Sequence, residues 1–185
     1  MNIILQNLGD DRWTQPSPFL VEQLQRLPRG RALDLAMGLG RNAVHLARHG
    51  WTVDGVDRSL KAAQEAKSLA GRLGVGINGI VADLAAYPIR PAHYDLICCF
   101  YFLDRLLFPV IHQGLKTGGA VLYQSVTIDQ LALRPDFPKE HCLEHNELLA
   151  AFKGLRVLYY REAIVNSLGT DAAVASLLAV REQNP

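Results

Sequence analysis

Cysteine is scarce in this chain, three residues among 185, and its placement excludes a disulfide-stapled scaffold. Cys98 and Cys99 are adjacent inside an apolar run and Cys142 stands alone, a pattern of free thiols that suits a reducing, cytoplasmic setting. Charge of one sign is lacking too. Nineteen Lys and Arg balance eighteen Asp and Glu, a formal net charge of +1, so no strong field recruits nucleic acid or an acidic membrane surface. No apolar stretch approaches the roughly 18–20 residues of a membrane span, and Ile3-Ile4-Leu5 is too short for the apolar centre of a secretory leader. The expectation is a cytoplasmic protein, a monomer or homodimer, that uses neither nucleic acid nor membrane. A small, roughly neutral ligand fits that balance better.

What the chain has in quantity is alternation. Strand-like runs at Ala32–Leu35, Thr52–Asp57 and Ile77–Ala82 are separated by helical patterns over Arg41–His49 and Ser59–Leu73, which predicts parallel strands joined by right-handed crossovers. Asp95–Leu103 has no polar alternate, the mark of a central strand covered on both faces. A helix over Asp104–Leu115, a glycine stop at Lys116-Thr-Gly-Gly119 and a strand over Ala120–Thr127 follow. Residues 128–146, with Pro135, Pro138 and several His and charged residues, predict a loop or lid. A short helix at Glu147–Lys153 leads to two runs with strand propensity, Arg156–Val165 and Ala172–Arg181, spaced as a hairpin. The whole is expected to be one α/β domain over residues 1–185. Its parts are a cap segment (1–29), a ligand-binding core (30–127), the lid (128–146) and a helix with a C-terminal hairpin (147–185).

In an open parallel sheet, ligands bind beyond the carboxyl ends of the strands. Four such ends carry chemistry. The first leads from Asp34 into Ala36, Gly38 and Gly40, where missing Cβ atoms let the main chain approach a ligand and the following helix aims free N–H groups at it. The second ends at Asp57, whose carboxylate can accept from both hydroxyls of a ribose. The third ends in Val81-Ala-Asp-Leu84, where Asp83 and apolar neighbours can frame a base. The fourth is Phe100-Tyr101-Phe102, an aromatic wall at the reacting end.

Taken in order, Leu33-Asp-Leu-Ala-Met-Gly-Leu-Gly-Arg-Asn-Ala43, Val53-Asp-Gly-Val-Asp57, Val81-Ala-Asp-Leu84 and Leu115-Lys-Thr-Gly-Gly119 resemble the motifs of class I S-adenosylmethionine-dependent methyltransferases. The continuation Gly40-Arg-Asn-Ala43 is most similar to the small tellurite-resistance-type branch. The resemblance implies a Rossmann-like, mostly parallel seven-stranded sheet with an antiparallel C-terminal edge hairpin. It implies S-adenosyl-L-methionine as cofactor and a small-molecule methyl acceptor as partner. Ala36, Gly38 and Gly40 then approach the amino-acid part of the cofactor, Asp57 the ribose, and Asp83 with Leu84 the adenine. Asp34, Asn42, Arg58, Ala82 and Phe100 join this cofactor-binding set. Two positions depart from the family pattern: Ala36 stands where glycine is common, and Met37 where a smaller residue is usual. A Met37 side chain directed into the pocket weakens or alters cofactor binding.

Other constellations are read conservatively. His45 and His49 share a helix face but lack the glutamate of a zinc-protease helix. His141-Cys-Leu-Glu-His145 crowds four metal-ligand types into five positions, yet no second ligand cluster exists, so no metal is expected. Should the acceptor need a general base, Tyr101, His141 and His145 are the candidates. The stretch Trp13–Phe19 is a candidate aromatic lid. Gly38-x-Gly40-x-x-Ala43 also fits the dinucleotide fingerprint, which keeps a NAD(P)-dependent oxidoreductase open, and a non-catalytic cofactor-binding protein with the same fold stands as the third possibility.

Overall fold

The computed structural model describes residues 15–167 and 170–182. After a short helix α1 (Pro18–Leu24) come β1 (Arg31–Leu35), α2 (Arg41–Arg48), β2 (Thr52–Asp57), α3 (Leu60–Arg72), β3 (Asn78–Val81) and β4 (Tyr94–Phe100). The chain continues through α4 (Leu107–Gly114), β5 (Leu115–Val126), α5 (Gln130–Leu133), α6 (Glu147–Ala151), β6 (Arg156–Ser167) and β7 (Thr170–Val180). The strands form one seven-stranded sheet in the order β3-β2-β1-β4-β5-β7-β6. β1 through β5 pair in parallel, while β7 runs antiparallel to both β5 and β6. This is the expected architecture, including the reversed C-terminal hairpin.

β4 explains why its sequence has no polar alternate. Leu96, Cys98 and Phe100 face one layer, with Phe19, Leu20, Leu46 and Trp51, while Ile97 and Cys99 face the other, with Phe108, Ile111, Tyr123 and Phe152. Both layers are sealed by helices, so the strand at the centre of the sheet must be apolar on each side. At the amino ends of the strands, Asp54 binds them together: it accepts from Arg31 Nη1 at 2.9 Å, Asn78 Nδ2 at 3.1 Å and Tyr94 Oη at 3.3 Å. Asp54 is thus a buried structural acid, and the nearby Asp57 is left at the carboxyl end of β2.

Several boundaries differ from the expectation. β5 starts at Leu115 rather than Ala120, because Leu115 pairs with Tyr94 before the register shifts and pairing resumes at Ala120 with Leu96. The Gly118-Gly119 pair makes an irregularity inside the strand, with Gly118 at φ +79°, instead of a stop before it. Helix α4 begins at Leu107, three residues later than expected, because the Asp104 carboxylate accepts from the Leu106 N–H in a preceding turn. The strand expected over Asp95–Leu103 ends at Phe100, where Tyr101 turns to φ +55°. Residues 128–146 are not bare loop: they hold α5 and a 3-10 turn at Lys139–His141. Phe137 and Cys142 bury with Val126 and Val174, and Leu143 bridges to Thr127 beside the end of β5. Trp13 and Thr14 of the expected aromatic lid lie outside the described residues, and Phe19 is core, 5.3 Å from the Tyr159 ring. Likewise residues 168–169 of the hairpin turn lie outside them.

Candidate functional site

The strand order reverses between β1 and β4: from β1 the chain builds outward through β2 and β3, then returns to place β4 on the other side. The carboxyl ends of these two strands are the position where open α/β sheets bind ligands in a crevice. The turn after β1 forms its floor. Ala36 takes φ +54°, Gly38 +55° and Gly40 +78°, the last capping α2. The two glycines serve different ends. A Cβ on Gly40 would lie 2.5 Å from the Ala66 Cβ of α3, so this glycine permits close helix packing. A Cβ on Gly38 would meet nothing within 4 Å, so this glycine leaves main chain facing open space. Such bareness is useful where a ligand must approach the backbone.

Asp57 closes the second wall. Its Oδ2 accepts from the Gly38 N–H at 2.9 Å and its Oδ1 from the Ser59 N–H at 2.9 Å. The carboxylate is half-buried, and each oxygen retains a lone pair for a further donor. At the end of β3, Ala82 donates its N–H to the Asp57 carbonyl at 3.1 Å, Asp83 is exposed with Oδ1 on the Ala85 N–H at 3.0 Å, and Leu84 is buried. Acid, small residue and apolar residue therefore lie together beside Asp57. Arg58 is exposed immediately after it.

The charges under the turn are unusual. Asp34 is 2% exposed, accepts from the Ala43 N–H at the start of α2, and keeps its Oδ2 buried without a hydrogen-bond partner. Burial pushes its pKa up to about 7, opposed mainly by the nearby Arg41 cation. Arg41, the first residue of α2, is partly buried, and its guanidinium lies 5.9 Å from the centroid of the Tyr101 ring. Its Nη1 reaches the Gln15 carbonyl at 3.4 Å. Tyr101 occupies the left-handed region and donates its N–H to the Gln124 carbonyl at 2.7 Å, which bends the chain across the end of β4. Arg41 has no role in the sequence reading, and the fold sets it beside Tyr101.

Other candidates fall elsewhere. Phe100 packs edge-on against Phe19 at 6.4 Å, in the core layer beneath α1. Asn42 is buried, and its Oδ1 accepts from the Ser17 N–H at 2.9 Å. Ser17 Oγ also reaches Gln124 Oε1 at 3.3 Å, so Asn42 helps fasten the segment before α1 across the end of the sheet. Met37 turns away from the crevice into a small cluster with Ala63 and Ala66, its sulfur where a Gly55 side chain would lie. The condition under which Met37 perturbs the pocket is therefore not met. On the lid, His141 is exposed, and His145 Nε2 lies 3.0 Å from Asp129 Oδ1, a contact that raises the His145 pKa. Bidentate pairing of Arg105 with Glu147, at 2.6 and 2.8 Å, ties the β4–α4 loop to α6. His45 and His49 stack with ring centroids 4.2 Å apart, and burial, His49 and Arg48 lower the His45 pKa to about 4. Among the described residues, no three His, Cys, Asp or Glu side chains group as metal ligands, and no helix is long and apolar enough to cross a membrane.

Residues 32–122 match the family model described as a methyltransferase domain. Ubiquinone biosynthesis O-methyltransferase of Citrobacter koseri is 27% identical over 114 residues, 58% of this chain and 47% of that protein. The chain thus spans about half the length of the curated relatives it matches. Among solved structures, TehB from Haemophilus influenzae superimposes with a TM-score of 0.77 at 21% identity, covering 89% of this chain and 61% of that one. An S-adenosylmethionine-dependent methyltransferase from Methanosarcina mazei gives 0.74 at 17% identity, covering 92% of this chain and 100% of the other. At these identities the structural likeness establishes the fold alone.

Proposed function

We propose that this chain, whose residues 32–122 match a methyltransferase domain and whose sheet has the order of that fold, is a class I S-adenosylmethionine-dependent methyltransferase that moves a methyl group from that cofactor to a small-molecule acceptor. The observation that carries the proposal is the Gly38–Asp57 contact: bare backbone facing open space, held at 2.9 Å by a carboxylate with acceptor capacity to spare. The residues present fit the cofactor. Asp57 suits a ribose diol, Ala82, Asp83 and Leu84 suit an adenine edge, and Ala36, Gly38 and Gly40 suit close approach of the amino-acid end. The antiparallel β7 separates this sheet from the dinucleotide-binding order of Rossmann oxidoreductases.

When bound, S-adenosylmethionine supplies a methyl group on a sulfonium, an already activated leaving group. The chain's task is therefore to orient the acceptor and exclude water, without a nucleophile of its own. In this reading Tyr101, half-buried and beside Arg41, is taken as the side chain at the reacting end. The 15–17 segment, fastened to Arg41, Asn42 and Gln124, and the packed 128–146 segment form its rims. A small acceptor agrees with the near-zero net charge, and the relative named for ubiquinone biosynthesis points the same way. The three buried free cysteines support a cytoplasmic location, and the proposal extends to a monomer or homodimer.

Parallel calorimetric titrations with S-adenosylmethionine, S-adenosylhomocysteine and NADH test the cofactor, and saturable binding of NADH alone would reverse the assignment. Asp57→Ala is expected to weaken S-adenosylhomocysteine binding by about 1.5–3 kcal/mol, the contribution of hydrogen bonds to a charged acceptor. An unchanged dissociation constant removes Asp57 from the ribose role. A panel of phenolic, thiol and carboxylate acceptors with labelled cofactor tests transfer itself.

A further inference from the structure

Ser17 stands at the capping position of α1, yet its Oγ makes no bond to the free N–H groups of that helix. The hydroxyl reaches Gln124 Oε1 at 3.3 Å instead, and the main-chain N–H donates to Asn42 Oδ1 at 2.9 Å. Pro16 and Pro18 flank it, so the Ser17 N–H is the one main-chain donor across these three residues. It is spent on the first turn of α2. The elements joined here surround the carboxyl ends of β1 and β4. Helix α2 follows β1, Gln124 lies toward the end of β5 beside β4, and Phe19 packs on Phe100, the last residue of β4.

Gln124 departs from its neighbours as well. Its companions on this face of β5 include Ala120 and Leu122, and an apolar side chain there would carry no desolvation cost. Buried, it uses both ends of its amide, with Nε2 donating to Ser176 Oγ at 2.7 Å, while its carbonyl accepts from the Tyr101 N–H at 2.7 Å. One residue thus ties together Ser17, β7 and the turn after β4. A buried polar network of this kind specifies a single geometry, here the placement of the segment before α1 against α2.

We infer that Pro16-Ser17-Pro18 is a clasp over one side of the cofactor position, and that Asn42 and Gln124 are positioning residues acting on the cofactor through Ser17. The inference rests on the cofactor assignment above; it adds the element that opens for release and takes Asn42 away from direct contact. The prolines preset the backbone, with Ser17 at φ −57° and ψ 129°, so little freedom is lost when the clasp shuts. Its two hydrogen bonds act in series. With either one broken the segment is loose, and the cofactor leaves faster.

A double-mutant cycle on the full chain, with S-adenosylhomocysteine release followed by surface plasmon resonance, tests this. Asn42→Ala cuts the link to α2, and Ser17→Ala cuts the link to Gln124 while keeping the Ser17 N–H. Each is expected to speed release about ten-fold, and the combined variant no more than about three-fold beyond the faster single one. Release about a hundred-fold faster in the combined variant overturns the inference, because independent effects multiply and Asn42 then acts on the ligand itself. An effect of Asn42→Ala alone, or of neither, overturns it too. Urea melts of the same variants without ligand supply a further check: release rates that track stability instead of reaching this plateau show general loosening, not a clasp. Should Asn42→Ala fail to fold, Ser17→Ala and Gln124→Leu carry the test, since they cut one link from its two sides. Equal rates with no gain on combining them support the clasp, and multiplied rates overturn it. Absence of binding to the wild-type chain strikes the cofactor assignment itself, a different result from any given by the variants.

Discussion

Replacing Asp34 with asparagine is expected to flatten the pH-dependence of folding across the window from about pH 4 to about pH 7. In the folded chain, burial raises this carboxyl from 3.8 to about 7, against the pull of Arg41 and the Ala43 N–H. Between those values the folded state holds a proton that the unfolded chain releases, so stability must fall as pH rises, and it levels off above the folded pKa. At 1.36 kcal/mol per unit, a shift from 3.8 to about 7 corresponds to about 4 kcal/mol as an upper figure. Asparagine keeps an oxygen for the Ala43 N–H and carries no titrating proton. Its buried amide nitrogen adds a roughly constant offset, about 1–3 kcal/mol if unpaired, so the informative quantity is the change in the difference between the two proteins. Urea melts of ligand-free wild type and Asp34→Asn at half-unit steps from pH 4.5 to 8 provide it, because contributions common to the two proteins cancel in the difference. The variant gains on the wild type by about 2–4 kcal/mol across the series. A difference that stays constant over that range refutes the enclosed carboxyl with its raised pKa. The same substitution is expected to weaken S-adenosylhomocysteine binding, which separates stability from function at one residue.

Gly40→Ala and Gly38→Ala are expected to differ in kind. The first meets Ala66 at 2.5 Å in addition to φ +78° and costs about 2–4 kcal/mol of stability; the second meets nothing within 4 Å, costs about 1 kcal/mol, and loses more in cofactor affinity than in stability. Denaturant melts and calorimetry on both distinguish a packing glycine from a ligand-facing one, and equal profiles would contradict that division. On the lid, Asp129→Asn lowers the His145 pKa toward its ordinary value by removing the carboxylate 3.0 Å away. Proton NMR titration of that imidazole reads the shift, and an unmoved pKa rules out the contact.

The parts of the fold legible in the sequence were those written by periodicity and by local turn chemistry. The apolar run through Leu96–Phe100 marked the central strand because both its faces are sealed, and the alternation of strands and helices gave the parallel half of the sheet. Glycine was the ambiguous letter. At Gly38 and Gly40 it marked a true strand-to-helix turn, but at Gly118 and Gly119 the same signal fell inside β5, where the pairing shifts and resumes. Side-chain direction was the other failure. Phe100 and Tyr101 are neighbours in sequence, yet Phe100 is buried in the core while Tyr101, turned to φ +55°, is only partly buried. Asn42 is expected at the cofactor, and the structure adds that its oxygen accepts from the N–H of Ser17, far away along the chain. Arg41 has no role in the sequence reading, and only the end of β4 brings the Tyr101 ring to 5.9 Å from its guanidinium. The lid looked irregular because its apolar residues have no period; Phe137 and Cys142 pack individually against the ends of β5 and β7. In each case the missing information was a contact between distant segments.

The positions of the three cysteines give the molecule a built-in gauge of its own opening. Cys98 and Cys99 lie at the middle of β4, where burial raises both thiols, Cys99 to about 12, while Cys142 sits in the lid's small cluster with its thiol raised less steeply. Only a thiolate alkylates at an appreciable rate. Local release of the lid exposes one sulfur, and global unfolding exposes all three, so a timed pulse of iodoacetamide followed by mass measurement sorts the two kinds of opening by whether one adduct or three are gained.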